Sequence, residues 1–279
     1  MYGTSRKIYY NGGNTMGKLD GKVALVTAST RGIGYAIAET YALEGACVYM
    51  ACRNLEVANE KAAALNAKGC NVKTVYFEAY DNDSIHNMIT TCVQNEGKLD
   101  ILVNNFGGTS PQDDIDIQRT NFDTYAKYVN VHLATVFIAT QEALKQSMTE
   151  KGGAIINIGS VAGLTPHVSQ IAYGTSKAAL IQLTKLTAVQ AARSNVRCNM
   201  ICPGMTATEA VVNNLTPEFM NFFLKHTPIP RMATAQEMAD AALYFATAEF
   251  TTGQIMGIHG GFGIPTPVYG DTMSMTLKR

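Results

Sequence analysis

Residues 23–34 read VALVTASTRGIG, an apolar run that leads into a turn of small polar residues and two glycines. The run 23–27 has the length and the β-branched content of a buried strand. Residues 32–43 then show a helical period. Glycines at such a junction let the chain turn tightly between a strand and a helix. The stretch therefore predicts the first strand-turn-helix unit of a parallel sheet.

The same alternation continues along the chain to about residue 258. Apolar runs predict strands at 23–27, 47–51, 72–77, 101–103, 154–158, 197–202 and 254–258. Helical periods predict helices at 32–43, 56–68, 83–96, 121–145, 173–192 and 235–246. Continuously apolar strands are typical of a parallel sheet that is covered on both faces. We therefore predict an α/β fold with a Rossmann-type, doubly wound parallel sheet of seven strands.

No linker or internal repeat interrupts this series, so residues 18–279 are expected to form a single domain. Residues 1–17 lack an apolar period and are rich in turn-forming residues, which indicates a flexible N-terminal extension. Met16 precedes the first regular element and is a candidate for the native start.

The composition of the 279 residues argues against several classes of function. The 22 basic and 22 acidic side chains balance, so we expect no nucleic-acid partner. No apolar run approaches about 18 residues, so we expect no membrane partner and a cytoplasmic location. The six cysteines form no CxxC pair and the five histidines lack metal-ligand spacing, so no metal site is predicted.

Two arginines near the glycine turn bear on the choice of cofactor. The backbone of such a turn approaches a pyrophosphate at a helix N-terminus. The second predicted strand ends in Ala51-Cys52-Arg53-Asn54, where an acid would bind the ribose 2′-hydroxyl of NAD. No acid is present there, and Arg53 together with Arg31 would form a fork suited to a 2′-phosphate. We predict NADP(H) as the cofactor; the alternative is a pair of solvated surface arginines.

A tyrosine and a lysine four residues apart are the candidate chemical groups. In a helix, Tyr173 and Lys177 share one face, and Ser160 lies thirteen residues before Tyr173. A phenol titrates near ~10, so it exchanges protons at neutral pH only when a positive charge stabilises the phenolate. Lys177 is predicted to supply that charge. The spacing alone also fits an ordinary helix face.

With these motifs, the chain from about residue 19 to the last strand resembles the short-chain dehydrogenase/reductase family. The family's glycine motif is matched at Thr27, Gly32 and Gly34, with Ala28 in place of its first glycine. Its Asn-Asn-Ala-Gly motif appears as Asn104-Asn105-Phe106-Gly107. The implied cofactor residues are Thr27, Ser29, Thr30, Arg31, Gly32, Ile33, Gly34, Arg53, Glu78, Asn105, Gly107, Tyr173, Lys177, Pro203, Gly204, Thr206 and Thr208.

The resemblance also implies a catalytic tetrad of Asn130, Ser160, Tyr173 and Lys177. Tyr173 would be the general acid for carbonyl reduction and the base for alcohol oxidation, while Ser160 would hydrogen-bond the substrate oxygen. Lys177 would hold the nicotinamide ribose and lower the pKa of Tyr173. Asn130 would order a water molecule that relays the proton.

Residues 205–230 lie where this family carries its substrate lid. They hold more apolar side chains than a small polar substrate needs, although a helix pair packed on the body would explain them too. The predicted substrate contacts are Ser160, Tyr173, His167, Met205, Phe219 and Phe223, with His226 as a second histidine at the mouth of the site.

Several segments resemble bacterial bile-acid hydroxysteroid dehydrogenases, the 7α type first, with 12α and 3α specificity left open. These segments are the loop 29–34, the motif 104–109, the pairs 218–219 and 223–224, and the tail 261–269. One alternative is a reductase for 3-oxoacyl thioesters or small ketones; another is a non-catalytic NADPH-binding sensor. The family resemblance further implies a homotetramer built by helices 121–145 and 173–192.

Overall fold

The computed structural model describes residues 17–214 and 216–264. Within these ranges, seven parallel strands form one sheet in the order β3-β2-β1-β4-β5-β6-β7. The strands are β1 Val23–Thr27, β2 Cys47–Cys52, β3 Asn71–Tyr76, β4 Ile101–Asn104, β5 Gly153–Ile158, β6 Val196–Pro203 and β7 Ile255–Ile258. The predicted Rossmann-type fold is confirmed. The proposed extension 1–17, apart from Gly17, and the tail after residue 264 lie outside the described residues.

Helices connect the strands and cover both faces of the sheet. They are α1 Gly32–Leu43, α2 Leu55–Asn66, α3 Asn82–Glu96, α4 Phe122–Ala143, α5 Thr149–Lys151, α6 Ile171–Ala191, α7 Glu209–Asn214, α8 Pro217–Lys225 and α9 Ala235–Thr247. A π-helical turn, Leu144–Met148, joins α4 to α5. The short helices α7 and α8 occupy the segment predicted to be the lid. In the part of the chain that the structure describes, no helix is long and apolar enough to cross a membrane.

The packing of helices on the sheet explains why the strands are so apolar. All five residues of β1 are buried, as expected for a strand covered on both faces. On one face α1 packs against α9, where the hydroxyl of Tyr41 donates a 2.8 Å hydrogen bond to the carbonyl of Ala242. Helices α3, α4 and α6 cover the other face. The strand order reverses between β1 and β4, so a crevice opens at the carboxyl ends of these strands.

Candidate active site

The turn after β1 has a left-handed backbone that is held by close packing. Ala28 and Gly32 have φ angles of 52° and 55°, the region that favours glycine. A Cβ on Gly34 would lie 2.5 Å from the carbonyl oxygen of Ala28 and 2.5 Å from Nδ2 of Asn105. Nδ2 of Asn105 donates to the carbonyls of Thr27 and Ala28, at 3.2 Å each. The loop after β4 therefore fixes the shape of the turn.

Polar groups at this turn fit the pyrophosphate of a dinucleotide. Ser29 Oγ is buried and has no hydrogen-bond partner among the described residues. A buried hydroxyl without a hydrogen-bond partner is costly, so a ligand that accepts a hydrogen bond from Ser29 would be favoured. Arg31 precedes α1 and makes no side-chain cap bond within the described ranges, which leaves the first N–H groups of the helix for an anion.

Two adjoining cavities run along the edge of the sheet from this turn. The first has a volume of about 530 Å³ and is lined in part by Thr30, Arg31, Arg53 and Glu78. The second has a volume of about 440 Å³ and is lined in part by Arg31, Gly32, Ile33, Asn105, Gly107, Ser160, Tyr173, Lys177, Pro203, Gly204, Thr206 and Thr208. The predicted cofactor residues thus lie along one continuous cleft, with Thr27, Ser29 and Gly34 in the turn beneath it.

Ser160, Tyr173 and Lys177 meet in the second cavity. Nζ of Lys177 is buried, donates a 3.0 Å hydrogen bond to the carbonyl of Ile158 and lies 5.6 Å from the centroid of the Tyr173 ring. A Cβ on Gly107 would come within 2.6 Å of that Nζ, so a larger residue there would displace the end of the lysine side chain. The structure brings these three side chains together; their catalytic roles stay a prediction.

Burial dominates the titration of the tyrosine and the lysine. It raises the pKa of Tyr173, and a hydrogen bond with Ser160 acts in the opposite direction. It lowers the pKa of Lys177 to about 8. In the protein alone the pKa of Tyr173 is therefore raised, because the cost of desolvating a phenolate prevails, and the lowering of that pKa by Lys177 stays a prediction. A raised pKa keeps the phenol protonated, which is the form that can donate a proton to a carbonyl oxygen.

Asn130 is placed apart from the other three members of the expected tetrad. Its side chain is exposed on α4, whereas His132 is fully buried and its ring centroid lies 5.7 Å from that of Tyr173. Side chains two positions apart on a helix point about 200° apart around its axis, so Asn130 faces away when His132 faces Tyr173. The sequence expectation for Asn130 is corrected on this ground, since the sequence gives the residue type and not the phase of the helix.

The structure also shows buried residues near Tyr173 that sequence reasoning missed. Asp114 accepts hydrogen bonds from the backbone N–H groups of Ala172 and Tyr173 at 2.8 and 2.9 Å. His132 contacts both Ser176 and the loop after β4. Asp114 lies in a loop whose sequence has no hydrophobic periodicity, so no local sequence pattern predicted its contact with α6.

On the substrate side, aromatic rings gather around Phe262. The Phe223 and Phe262 rings stack with centroids 4.1 Å apart and planes 13° apart, and the His167 ring lies 5.9 Å from Phe262. Met205 lines the cavity that holds Tyr173 and also the neighbouring cavity that holds Phe223. His167, Met205 and Phe223 are thus brought together, and Phe262 was not predicted as a substrate contact.

The two remaining predicted mouth residues, Phe219 and His226, are exposed to solvent. Phe219 is 51% exposed on α8. His226 is exposed, and its ring lies 4.8 Å from that of Phe222. Among the described residues, no group of three His, Cys, Asp or Glu side chains is arranged to hold a metal ion.

A parallel sheet with a glycine turn at its switch point, and a serine, tyrosine and lysine beside that turn, define an oxidoreductase that uses a nicotinamide dinucleotide. A family model described as Enoyl-(Acyl carrier protein) reductase matches residues 27–263. The chain belongs to the short-chain dehydrogenase/reductase family.

Individual relatives support this assignment. A 7alpha-hydroxysteroid dehydrogenase of Clostridium sardiniense is 40% identical over 92% of this chain and 98% of its own. A 3-oxoacyl-(acyl-carrier-protein) reductase of Aquifex aeolicus is 34% identical over 88% of this chain and 98% of its own. The crystal structure of a short-chain type dehydrogenase/reductase from Mycobacterium marinum superposes with a TM-score of 0.82 at 28% identity, covering 88% of this chain and 97% of that one.

Proposed function

We propose that this enzyme interconverts a secondary alcohol and a ketone on a hydroxysteroid, with a 7α-hydroxy bile acid as the first candidate and 12α or 3α positions next. The observation that carries the proposal is the stacked pair Phe223 and Phe262, of which Phe223 lines the cavity that shares Met205 with the cavity of Tyr173. The outer ring face of this stacked pair is a flat apolar platform, which suits a rigid, largely apolar substrate. The 40% identity to a 7alpha-hydroxysteroid dehydrogenase supports the same substrate class.

The platform is tied to the catalytic loop by close packing of the C-terminal turn. Gly263 lies so close to Thr165 that a Cβ on it would meet Oγ1 at 2.3 Å. A Cβ on Gly261 would lie 2.8 Å from Cγ of Pro228, next to the lid. Residues 261–263 therefore bridge the loop after Ser160 and the segment after α8, and this placement orients Phe262 toward both.

The proposed chemistry assigns each side chain one task. The bound nicotinamide supplies or accepts the hydride. Tyr173 donates its phenolic proton to the carbonyl oxygen in reduction and accepts the hydroxyl proton in oxidation. The hydroxyl of Ser160 donates a hydrogen bond to the same substrate oxygen as negative charge develops there. Lys177 binds the ribose that adjoins the nicotinamide and holds positive charge near the phenolate that forms in reduction.

A substrate panel with an aromatic variant tests the steroid proposal. We expect oxidation of a 7α-hydroxy bile acid with NADP⁺, and a KM for it that rises about 10- to 100-fold in Phe262→Ala, since burying a Phe contributes ~1.5–3 kcal/mol. The KM for a small ketone should stay near the wild-type value. Phe250→Ala is the matched control, because that ring is fully exposed after α9. Activity confined to an acetoacetyl thioester would contradict the proposal.

A 3-oxoacyl thioester reductase is the second candidate, and the 34% identity to the Aquifex aeolicus enzyme favours it. The same panel separates the two candidates. A flexible thioester chain does not need a flat platform, so Phe262→Ala should then leave turnover of the thioester nearly unchanged.

For the cofactor, we propose NADP(H), on the charges that line the first cavity. Arg31, Arg53 and Lys61 line it together with Glu78 and Glu209, so cations outnumber acids at this end of the cleft. Nη1 of Arg53 lies 3.6 Å from Oε2 of Glu78, and the Arg53 side chain is 79% exposed. An arginine at the end of β2 can bind a 2′-phosphate with two parallel N–H groups.

Removing the two arginines should change cofactor choice and little else. We expect wild type to prefer NADPH over NADH, and Arg31→Ala/Arg53→Ala to lose about 10²- to 10⁴-fold in affinity for NADPH, since each of the two charge-assisted bonds contributes ~1.5–3 kcal/mol. Affinity for NADH should change by less than about threefold, because NADH lacks the phosphate that the pair would bind. Fluorescence titration measures both, and Arg193→Ala on the exposed turn after α6 is the control. A wild-type preference for NADH would refute the cofactor assignment.

We further propose a homotetramer built on α4 and α6, and a cytoplasmic location. Phe137 on α4 is 51% exposed and Leu186 and Val189 on α6 are 45% and 78% exposed, which suits a covered helix face. All six cysteines are free thiols, which suits a reducing compartment. Size-exclusion chromatography with light scattering tests the assembly.

A further inference from the structure

Helix α6 carries Tyr173 in its first turn, yet it begins without a cap of its own. Its N-cap residue, Gln170, has a φ of 63° and makes no side-chain cap bond among the described residues. The first N–H groups of a helix have no partner within the helix and must be satisfied elsewhere. The position of Tyr173 therefore depends on groups outside α6.

Asp114 supplies the missing cap from a distant loop. Its Oδ1 accepts from the N–H of Ala172 at 2.8 Å and its Oδ2 from the N–H of Tyr173 at 2.9 Å. The hydroxyl of Thr109 donates to Oδ2 at 3.1 Å. The carboxylate is fully buried, a costly placement that these donors and the positive end of α6 offset. The backbone of Tyr173 is thus held directly by a side chain from the loop after β4.

His132 holds the same turn of α6 from the opposite side. Its Nδ1 lies 2.8 Å from Oγ of Ser176, and Oγ of Ser176 lies 2.8 Å from the carbonyl oxygen of Tyr173. Its Nε2 lies 2.8 Å from the carbonyl oxygen of Gly108. The N–H and the carbonyl of Tyr173 are therefore both linked, directly or through one hydroxyl, to the loop 108–114.

The protonation of His132 sets how these bonds are arranged. Burial and the nearby Lys177 lower the pKa of His132 to about 4, so the ring is neutral near pH 7 and carries one N–H. With its proton on Nδ1, the ring donates to Oγ of Ser176, whose own proton goes to the carbonyl of Tyr173, and Nε2 accepts from the N–H of Gly108 at 3.3 Å. With its proton on Nε2, the ring donates to the carbonyl of Gly108, and Nδ1 takes the proton of Ser176 instead. A phenylalanine at 132 would keep the ring and lose both bonds.

We propose that Asp114, His132 and Ser176 are positioning residues that fix Tyr173 relative to the loop 105–109, where the nicotinamide end of the cofactor is proposed to bind. We name these three residues the α6 clamp. The clamp touches neither substrate nor cofactor, and it acts through the backbone of Tyr173. The proposal rests on the proposed role of Tyr173 as the acid. A misplacement of about 1 Å at a reacting group lowers a rate by roughly 10²-fold, so a loosened clamp would be visible in turnover.

The test compares Asp114→Asn, His132→Phe and Ser176→Ala with the matched control Asp116→Asn. Asp116 lies in the same loop, is half-buried and bonds to its loop neighbours Gln118 and Arg119 instead of to α6, so its variant should keep the kcat of wild type. We expect Asp114→Asn and His132→Phe to lower kcat about 10- to 100-fold, per folded enzyme and well below Tm, with the KM for the ketone within about threefold. A residue that only stabilises the fold would lower Tm and leave kcat of the folded enzyme unchanged.

Two double variants assign the effect to Tyr173. The first is Tyr173→Phe/Asp114→Asn, in which turnover should be no lower than in Tyr173→Phe alone. The second is His132→Phe/Ser176→Ala, in which turnover should be no lower than in His132→Phe alone. Wild-type kcat in the clamp variants, or additive losses on the Tyr173→Phe background, would overturn the clamp while leaving the proposed function intact. Near-normal turnover in Tyr173→Phe alone would overturn both. If Asp114→Asn does not fold, Ser176→Ala, which removes one hydroxyl, gives the same decision at a smaller expected loss of about three- to tenfold.

Discussion

The Tyr173→Phe variant is expected to fold and to bind cofactor, but to reduce a ketone about 10²- to 10⁴-fold more slowly than wild type. The substitution removes one hydroxyl and keeps the ring. Because the ring packs edge-on against His132, with centroids 5.7 Å apart, the packing around it should survive. What is lost is the phenolic proton that neutralises the developing alkoxide, and Tyr173 is the one phenol among the described residues that line this cavity.

Single-turnover oxidation of NADPH with a ketone substrate measures the loss, and fluorescence titration measures cofactor binding. Tyr244→Phe is the matched control, because Tyr244 is 50% exposed on α9. Turnover of Tyr173→Phe within about tenfold of wild type would remove the acid from the mechanism.

The pH dependence of alcohol oxidation is a second test of the role of Tyr173. Burial raises the pKa of Tyr173, so the phenol stays protonated across the neutral range in the protein alone. Alcohol oxidation needs the deprotonated form, so its rate should rise with pH in wild type, whereas the remaining oxidation by Tyr173→Phe should lack that rise. Bound cofactor and Lys177 would move the midpoint but not the direction.

The fold was predictable from local patterns, because each strand is a short apolar run buried on two faces. The 23–27 run became β1 with the expected bounds, and α1 likewise runs over Gly32–Leu43. The ends of other predicted elements shifted by at most two residues, as in α6, which begins at Ile171 instead of 173. The strand order β3-β2-β1-β4-β5-β6-β7 was not predicted, because the βα alternation indicates parallel strands but not which strands are neighbours.

The site was predictable only where residues lie close together in sequence. Tyr173 and Lys177 share a helix face, so their spacing places them side by side. Asp114 reaches the backbone of Tyr173 across 59 residues of chain, and no periodicity marks a loop residue that caps a distant helix. The rotation of α4 about its own axis places His132, and not Asn130, toward Tyr173. That rotation depends on how α4 packs against α6, which is a tertiary property. The pKa of Tyr173 depends on burial for the same reason.

Replacing Lys177 by Met should lower the activity of the enzyme and raise its free energy of unfolding near neutral pH. Burial lowers the pKa of Lys177 from 10.5 to about 8, so the folded state disfavours the charged ammonium. Below pH 8 Lys177 is protonated in both the folded and the unfolded protein. The folded protein then bears the full cost of burying the charge, about 3 kcal/mol as an upper bound. Between pH 8 and 10.5 the unfolded chain binds more protons than the folded one, so the free energy of unfolding of wild type rises with pH.

Lys177→Met removes that cost and leaves the carbonyl of Ile158 without its 3.0 Å hydrogen bond from Nζ, which costs about 1 kcal/mol. At pH 7 the free energy of unfolding should therefore exceed that of wild type by about 1–2 kcal/mol. The gain should shrink above pH 8 and become a loss of about 1 kcal/mol near pH 10.5, where neutral Lys177 keeps its hydrogen bond without the cost of charge. Turnover should fall about 10²-fold or more, because the positive charge beside the phenolate is absent.

Urea denaturation at pH 7, 9 and 10.5 measures the stability difference, and NADPH oxidation measures turnover. Lys185→Met is the matched control, since Lys185 lies on the same helix and is exposed. Its stability should differ from wild type by less than about 0.5 kcal/mol at each pH, because surface substitutions have small effects. A Lys177→Met variant that is less stable than wild type at pH 7, by a margin independent of pH, would show that the lysine is paired in the folded state. In that case the charge on Lys177 would stabilise the fold, and the site would not retain this lysine for catalysis at the expense of stability.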